Sequence, residues 1–137
     1  MTQENRDLLV RELCARLPYD VECIDTYINA SGRLCEIGIN CDMCLLSDVY
    51  GKTETCYMPN CKPYLFPLSS MTEEQKNEYY DIVNYISTDD TNNWAEGEFI
   101  YIGSISRLIH FYHRNHLDYR GLISMGLAID ATNLNIY

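Results

Sequence analysis

Apolar residues change their period twice along this chain, and each change predicts an element. Leu9, Val10, Leu13, Cys14 and Leu17 fall at i, i+1, i+4, i+5 and i+8, one stripe of a helix over residues 1–17, with Thr2 placed to cap it. Pro18 ends that helix, because the residue before a proline is pushed out of the α region. From Val21 to Met58 the period becomes two. "VECIDTYI" and "RLCEIGINCDM" read as strands about a turn at Asn29–Gly32, and "TETCYM" as another beyond Tyr50-Gly51. In the second run Cys35, Ile37, Ile39, Cys41 and Met43 alternate with Glu36, Gly38, Asn40 and Asp42, which predicts one buried row. Connectors this short suit antiparallel hairpins and a β-meander.

The segment "CKPYLFPLSSMT" interrupts this pattern with two prolines and two serines, and reads as a linker or an extended edge. At Thr72-Glu73-Glu74-Gln75 a capping box opens a second helix, and Tyr79, Ile82, Val83 and Ile86 give its apolar stripe. "STDDTNNWAEGE" reads as a polar loop and "FIYIG" as a short strand. Ser104 is placed to cap a third helix carrying Ile105, Leu108, Ile109 and Tyr112 on one side. The tail suggests a turn of helix after Asp118, then loop or strand. The fold class is α+β in a single domain, 1–137: a helix at 1–17, a β-rich part at 21–58 that can curl into a small SH3-like barrel, and a mainly helical part at 72–137 with two or more helices.

Composition adds a compartment. Hydrophobic residues make up 47% and charged residues 22%, as in ordinary globular chains, and no apolar run approaches the roughly 18 residues a membrane span needs. "MTQENRDLLV" is polar and acidic where a secretory leader is basic and then apolar, so the expected location is cytoplasmic. There thiols stay reduced, and seven cysteines are expected as buried thiols or metal ligands. A net charge of −10, concentrated between Thr72 and Glu98, repels phosphate. It argues against direct nucleic-acid or anionic-membrane partners and leaves a protein partner as the expectation.

Several motifs carry candidate chemistry. Gly51-Lys52-Thr53 resembles the end of a phosphate loop, but position 46 is leucine where the loop needs glycine, and the segment that follows is strand-like. Cys41, Cys44, Cys56 and Cys61 form a C-x2-C…C-x4-C set able to hold zinc on a hairpin. Against zinc, the alternation buries Cys41 beside Ile37 and Ile39 and sends Cys44 the other way, so these thiols read as small hydrophobes. His110, His113 and His116 splay around one helix without the glutamate of a metalloprotease motif. No nucleophile elbow or calcium loop is present, so no catalytic residue, metal ligand or cofactor is assigned. Among candidate binding residues stand Tyr64, Tyr119 and Arg120. Arg120, placed to bridge Asp118 or Glu96, can alternatively anchor a ligand.

The stretches "LCARLPYDV" (13–21), "KPYLFPLSSMTEEQ" (62–75) and "HLDYRGLISMGLAID" (116–130) resemble a group of small proteins of anaerobic gut bacteria, their phages and mobile elements. That resemblance implies a bacterial or phage setting and this order of elements. It transfers no activity, cofactor or site residue, and the cysteines at 41–61 are not among its markers. Three functional expectations follow. The leading one is a non-enzymatic accessory or interaction protein. The second is a zinc-stabilised binding module using Cys41, Cys44, Cys56 and Cys61. The third, a small-molecule enzyme, requires Arg120, Tyr119 and a histidine to come together.

Overall fold

The computed structural model describes residues 1–87 and 105–137. The "FIYIG" strand, the Ser104 cap, Glu96 and the acidic residues from 88 to 98 lie outside them. Helix α1 (Gln3–Arg16) starts where Thr2 Oγ1 accepts the Asn5 N–H at 3.2 Å, and a 3-10 turn, Leu17–Tyr19, ends it at Pro18. Five strands follow: β1 (Glu22–Asp25), β2 (Ala30–Gly38), β3 (Met43–Ser47), β4 (Thr53–Tyr57) and β5 (Cys61–Pro67). Then come α2 (Glu73–Ser87), α3 (105–114), and two short strands, β6 (Leu117–Asp118) and β7 (Ile129–Asp130). The expected α+β architecture is what the chain adopts. No described helix is long and apolar enough to cross a membrane.

Sheet order is β4-β3-β2-β1-β5, all antiparallel, with β6 and β7 added parallel to β5. Strands β4 and β5 therefore stand at opposite ends of the five-strand order. Yet only the 3-10 turn Met58–Asn60 separates them in sequence. A sheet whose two ends are joined by three residues curls back on itself toward a barrel, and among the described residues no ladder pairs β4 with β5 across the seam.

The inward row of β2 differs from the alternation expected. Gly32 and Leu34 face inward; an ideal Cβ on Gly32 would meet the Ser47 carbonyl oxygen at 2.7 Å, so the β2–β3 crossing admits only glycine there. A bulge between Leu34 and Glu36 then shifts the phase, turning Cys35 to solvent and Ile37 toward the core. Beyond Gly38 the strand gives way to a 3-10 turn, Ile39–Cys41, so Ile39 and Cys41 are exposed and Cys44 is buried. The buried row through Cys35 and Cys41 does not form.

Nor is 62–67 a linker. β5 lies inside the sheet, with Leu65 fully buried. The Asn60 carbonyl accepts the Thr26 N–H at 3.0 Å, which sets the alternation and turns the Pro63 nitrogen away from β1, where no ladder donor is missed. Where the β1–β5 ladder ends, the Tyr137 hydroxyl takes its place. It accepts the Glu22 N–H at 3.0 Å and donates to the Tyr64 carbonyl at 2.7 Å.

Two apolar clusters hold these layers. Leu9 and Leu13 of α1 pack with Val21, Leu34, Leu46, Leu65 and, from the tail, Leu122 and Leu127. Ile82, Phe111 and Leu117 gather α2, α3 and β6 around Phe66, Tyr79 and Tyr112. The capping box is present as expected: Gln75 N–H donates to Thr72 Oγ1 at 3.2 Å and Thr72 N–H to Gln75 Oε1 at 2.9 Å. After Asp118 the chain makes turns, not helix. The Asp118 carboxylate accepts the Leu122 and Ile123 N–H groups at 2.8 and 2.9 Å, and the φ of +73° at position 126 suits glycine.

Candidate functional site

Three features concentrate chemistry: a thiol cluster inside the barrel, the barrel mouth above it, and a charged joint between α1, α3 and the tail. The thiol cluster follows from register. Cys44 on β3 stands directly opposite Cys56 on β4, so both side chains point to one face. Asp25 on β1 stands opposite Cys61 on β5, and Cys23 lies two residues along on that face. Curling the sheet brings these rows together. The Sγ atoms of Cys44, Cys56 and Cys61 lie within 4.8 Å of one another, all buried. Cys23 is also buried.

The arrangement keeps these thiols protonated. For Cys44 a hydrogen bond with Cys56 acts downward, but the bond with Cys61 and burial outweigh it and push the thiol up to about 12. The Cys56 thiol is raised chiefly by its bond with Cys44, and Cys61 chiefly by its bond with Cys23. The set differs from the one spacing suggested. Cys41 is exposed and directs its Sγ to the Gly38 carbonyl at 3.4 Å, away from the cluster. Sequence reasoning missed Cys23, and only the β1–β5 register reveals it.

The turns at 26–29 and 48–52 emerge at the same end of the barrel, because Arg33 pairs with Ser47 and Asp25 with Ala30. They carry Tyr27, Ile28, Val49 and Tyr50, exposed by 83%, 51%, 93% and 92%. Between them a cavity of about 210 Å³ opens into the barrel, lined by Asp25, Ile28, Leu46, Lys52, Glu54 and Cys56 among others. A second hollow of about 650 Å³ runs along the outside, lined by Glu22, Arg33, Ser47, Asp48 and Val49 among others. Asp48 shapes the second turn by accepting the Tyr50 and Lys52 N–H groups, each at 2.9 Å. Asp25 is buried with its Oδ1 accepting the Tyr27 N–H at 2.9 Å, and no ion pair reaches it among the described residues.

At the joint, Arg16 is fully buried on the inner side of α1. Its Nε donates to Glu12 Oε2 at 3.2 Å and its Nη2 to the Leu117 carbonyl at 2.8 Å. Arg120 pairs with the other oxygen of Glu12 at 2.8 Å, not with Asp118. Tyr119 donates to or accepts from His113 Nε2 at 3.0 Å and lies 5.4 Å from the Arg120 guanidinium carbon. Burial, with Arg16 and Arg120 beside it, brings His113 down to about 4. Tyr119, Arg120 and a histidine thus come together, but each polar head is engaged within the joint. The neighbouring hollow is lined instead by Tyr19, Ser106, Arg107, Ile109 and His110. Tyr64 is buried in β5, its hydroxyl 3.0 Å from Ser31 Oγ. Compared with known proteins, the chain matches no family model, no curated protein and no solved structure.

Proposed function

We propose that this chain is a non-catalytic interaction module that holds a basic segment of a partner protein at the mouth of its barrel. One observation carries the reading: four large apolar side chains, Tyr27, Ile28, Val49 and Tyr50, stand exposed on two turns at the same end of the barrel, with Ile28 lining the smaller cavity there and Val49 the outer hollow. Scattered exposed hydrophobes are ordinary, whereas four gathered at one end of a fold beside hollows mark a contact surface. Charge selects the partner. Glu22, Asp25, Asp48 and Glu54 line the two hollows against Arg33 and Lys52, and those two cations are already opposed by Asp20 at 3.7 Å and Glu54 at 3.5 Å. A lysine or arginine of the partner gains the remaining carboxylates while its neighbours cover the two tyrosines. In the phage or mobile-element setting the resemblance implies, such a module would serve as an accessory protein.

Titrating the 15N-labelled chain with an extended lysine- and arginine-bearing peptide tests this. Shifts confined to 25–31 and 46–56, weakened by salt and lost in a Tyr27→Ser, Tyr50→Ser double variant, are expected. An equal response to an acidic peptide of the same length, or shifts centred on the joint at Arg120, would rule it out.

A further inference from the structure

Among the described residues no main-chain ladder joins β4 to β5, and it is across this seam that the thiols converge. Cys56 stands on one side of the seam, Cys61 on the other, and Cys44 on the strand next to Cys56. Four sulfurs at 2.3 Å from one zinc ion stand about 3.8 Å apart, so thiols already within 4.8 Å of one another need only small rotamer adjustments to enclose it. Soft thiolates select zinc or copper(I) over calcium or magnesium, and a redox-inert structural role in a fold this small suits zinc. We infer that Cys44, Cys56 and Cys61 hold a zinc ion that staples the open seam of the barrel, with β1 supplying the fourth donor.

Two further observations point to a cation here. Asp25 is a buried carboxylate on the same face, with one main-chain donor and no ion pair among the described residues, and a cation at the thiols supplies the missing opposite charge. The mouth cavity, lined by Asp25 and Cys56, gives a hydrated ion a polar way in. The fourth donor lies on β1 because that strand places Asp25 directly opposite Cys61 and Cys23 two residues along on the same inner face. Plain apolar filling accounts for cysteine at any one of these positions. It gives no reason for three to converge across an unpaired seam while Cys35 and Cys41 stand outside. The inference does not depend on the docking reading, since metal content is measured without any partner.

The full chain, expressed with zinc and purified under reducing conditions without chelator, tests it by elemental analysis. About one equivalent of zinc per chain is expected, as for a closed structural site. Cys56→Ser and Cys61→Ser should each lower it at least tenfold, whereas Cys41→Ser should leave it unchanged. Because the serine variants can fail to fold, the wild-type chain is also stripped and reloaded with cobalt(II). The intense visible absorption of a tetrahedral cobalt–thiolate centre is expected, with the sulfur charge-transfer band weakened in Cys23→Ser if β1 donates sulfur, and that band kept but the ligand-field bands shifted in Asp25→Asn if β1 donates oxygen. Less than a tenth of an equivalent of zinc together with no such cobalt spectrum would overturn the inference. So would a Cys41→Ser variant that loses the metal.

Discussion

Replacing Glu12 by glutamine keeps the side chain's volume and removes the charge on which two arginines converge. Glu12 and Arg16 are both buried, and Arg16 Nη1 has no partner among the described residues, so the carboxylate is the chief compensation for a fully buried guanidinium. Removing one member of a buried pair costs about 3–5 kcal/mol. Here the lower end applies, because Arg16 keeps the Leu117 carbonyl and the glutamine oxygen still accepts one bond. The Arg120 side of the bridge adds little, since that side chain is half exposed and its pairing is screened. An unfolding entropy of about 2.1 cal/mol/K per residue makes 3 kcal/mol roughly a 10 °C fall in Tm for 137 residues. Urea denaturation followed by circular dichroism, with an unchanged slope, reads the loss directly. A Glu12→Leu, Arg16→Met double variant should recover most of it, because a well-packed apolar pair has no charge to desolvate. A loss below about 1 kcal/mol for Glu12→Gln, or a double variant as unstable as the single one, would refute this account of the joint.

Burial, aided by Arg16, holds His113 and His116 down to about 4, whereas unfolded imidazole titrates near 6.5. Folded values below unfolded ones mean that the unfolded chain takes up the protons first. Stability therefore falls as pH drops from about 6.5 toward 4, by up to about 1.4 kcal/mol per pH unit for each ring. Asparagine tolerates the positive φ of His116, so His116→Asn should roughly halve that slope; an unchanged slope in pH-dependent urea melts would count against it. Thr72→Ala removes the reciprocal cap of α2 and should cost about 1 kcal/mol in the same melts. Gly32→Ala sets a Cβ against the Ser47 main chain and should cost about 1–3 kcal/mol, and a neutral result would show that the β2–β3 crossing is looser than described.

Elements decided by local chemistry were legible in the sequence. The Thr2 cap, the stop at Pro18 and the Thr72–Gln75 box each depend on residues within five positions of one another, and all are present. What the sequence hid was decided across strands. The alternation from Cys35 to Met43 looked like one strand because nothing local reports the bulge after Leu34, which is imposed by pairing with β3. Pro63 and Pro67 made β5 look like a linker, because the sequence does not say which edge the Pro63 nitrogen faces. The first of these misreadings also misdirected the cysteines. Read on a continuous strand, Cys41 joined the core and Cys44 left it; with the bulge and the 3-10 turn in place, the reverse holds. Arg120 was legible as a bridging residue but not its partner, since Glu12 lies more than a hundred residues away.

Zinc K-edge X-ray absorption on the full chain, purified reduced and without chelator, addresses the stapled seam most directly. The account predicts a zinc shell dominated by sulfur, three or four atoms at about 2.3 Å, unchanged in Cys41→Ser. A shell of two or fewer sulfurs, or no zinc edge above background in folded protein, would contradict it.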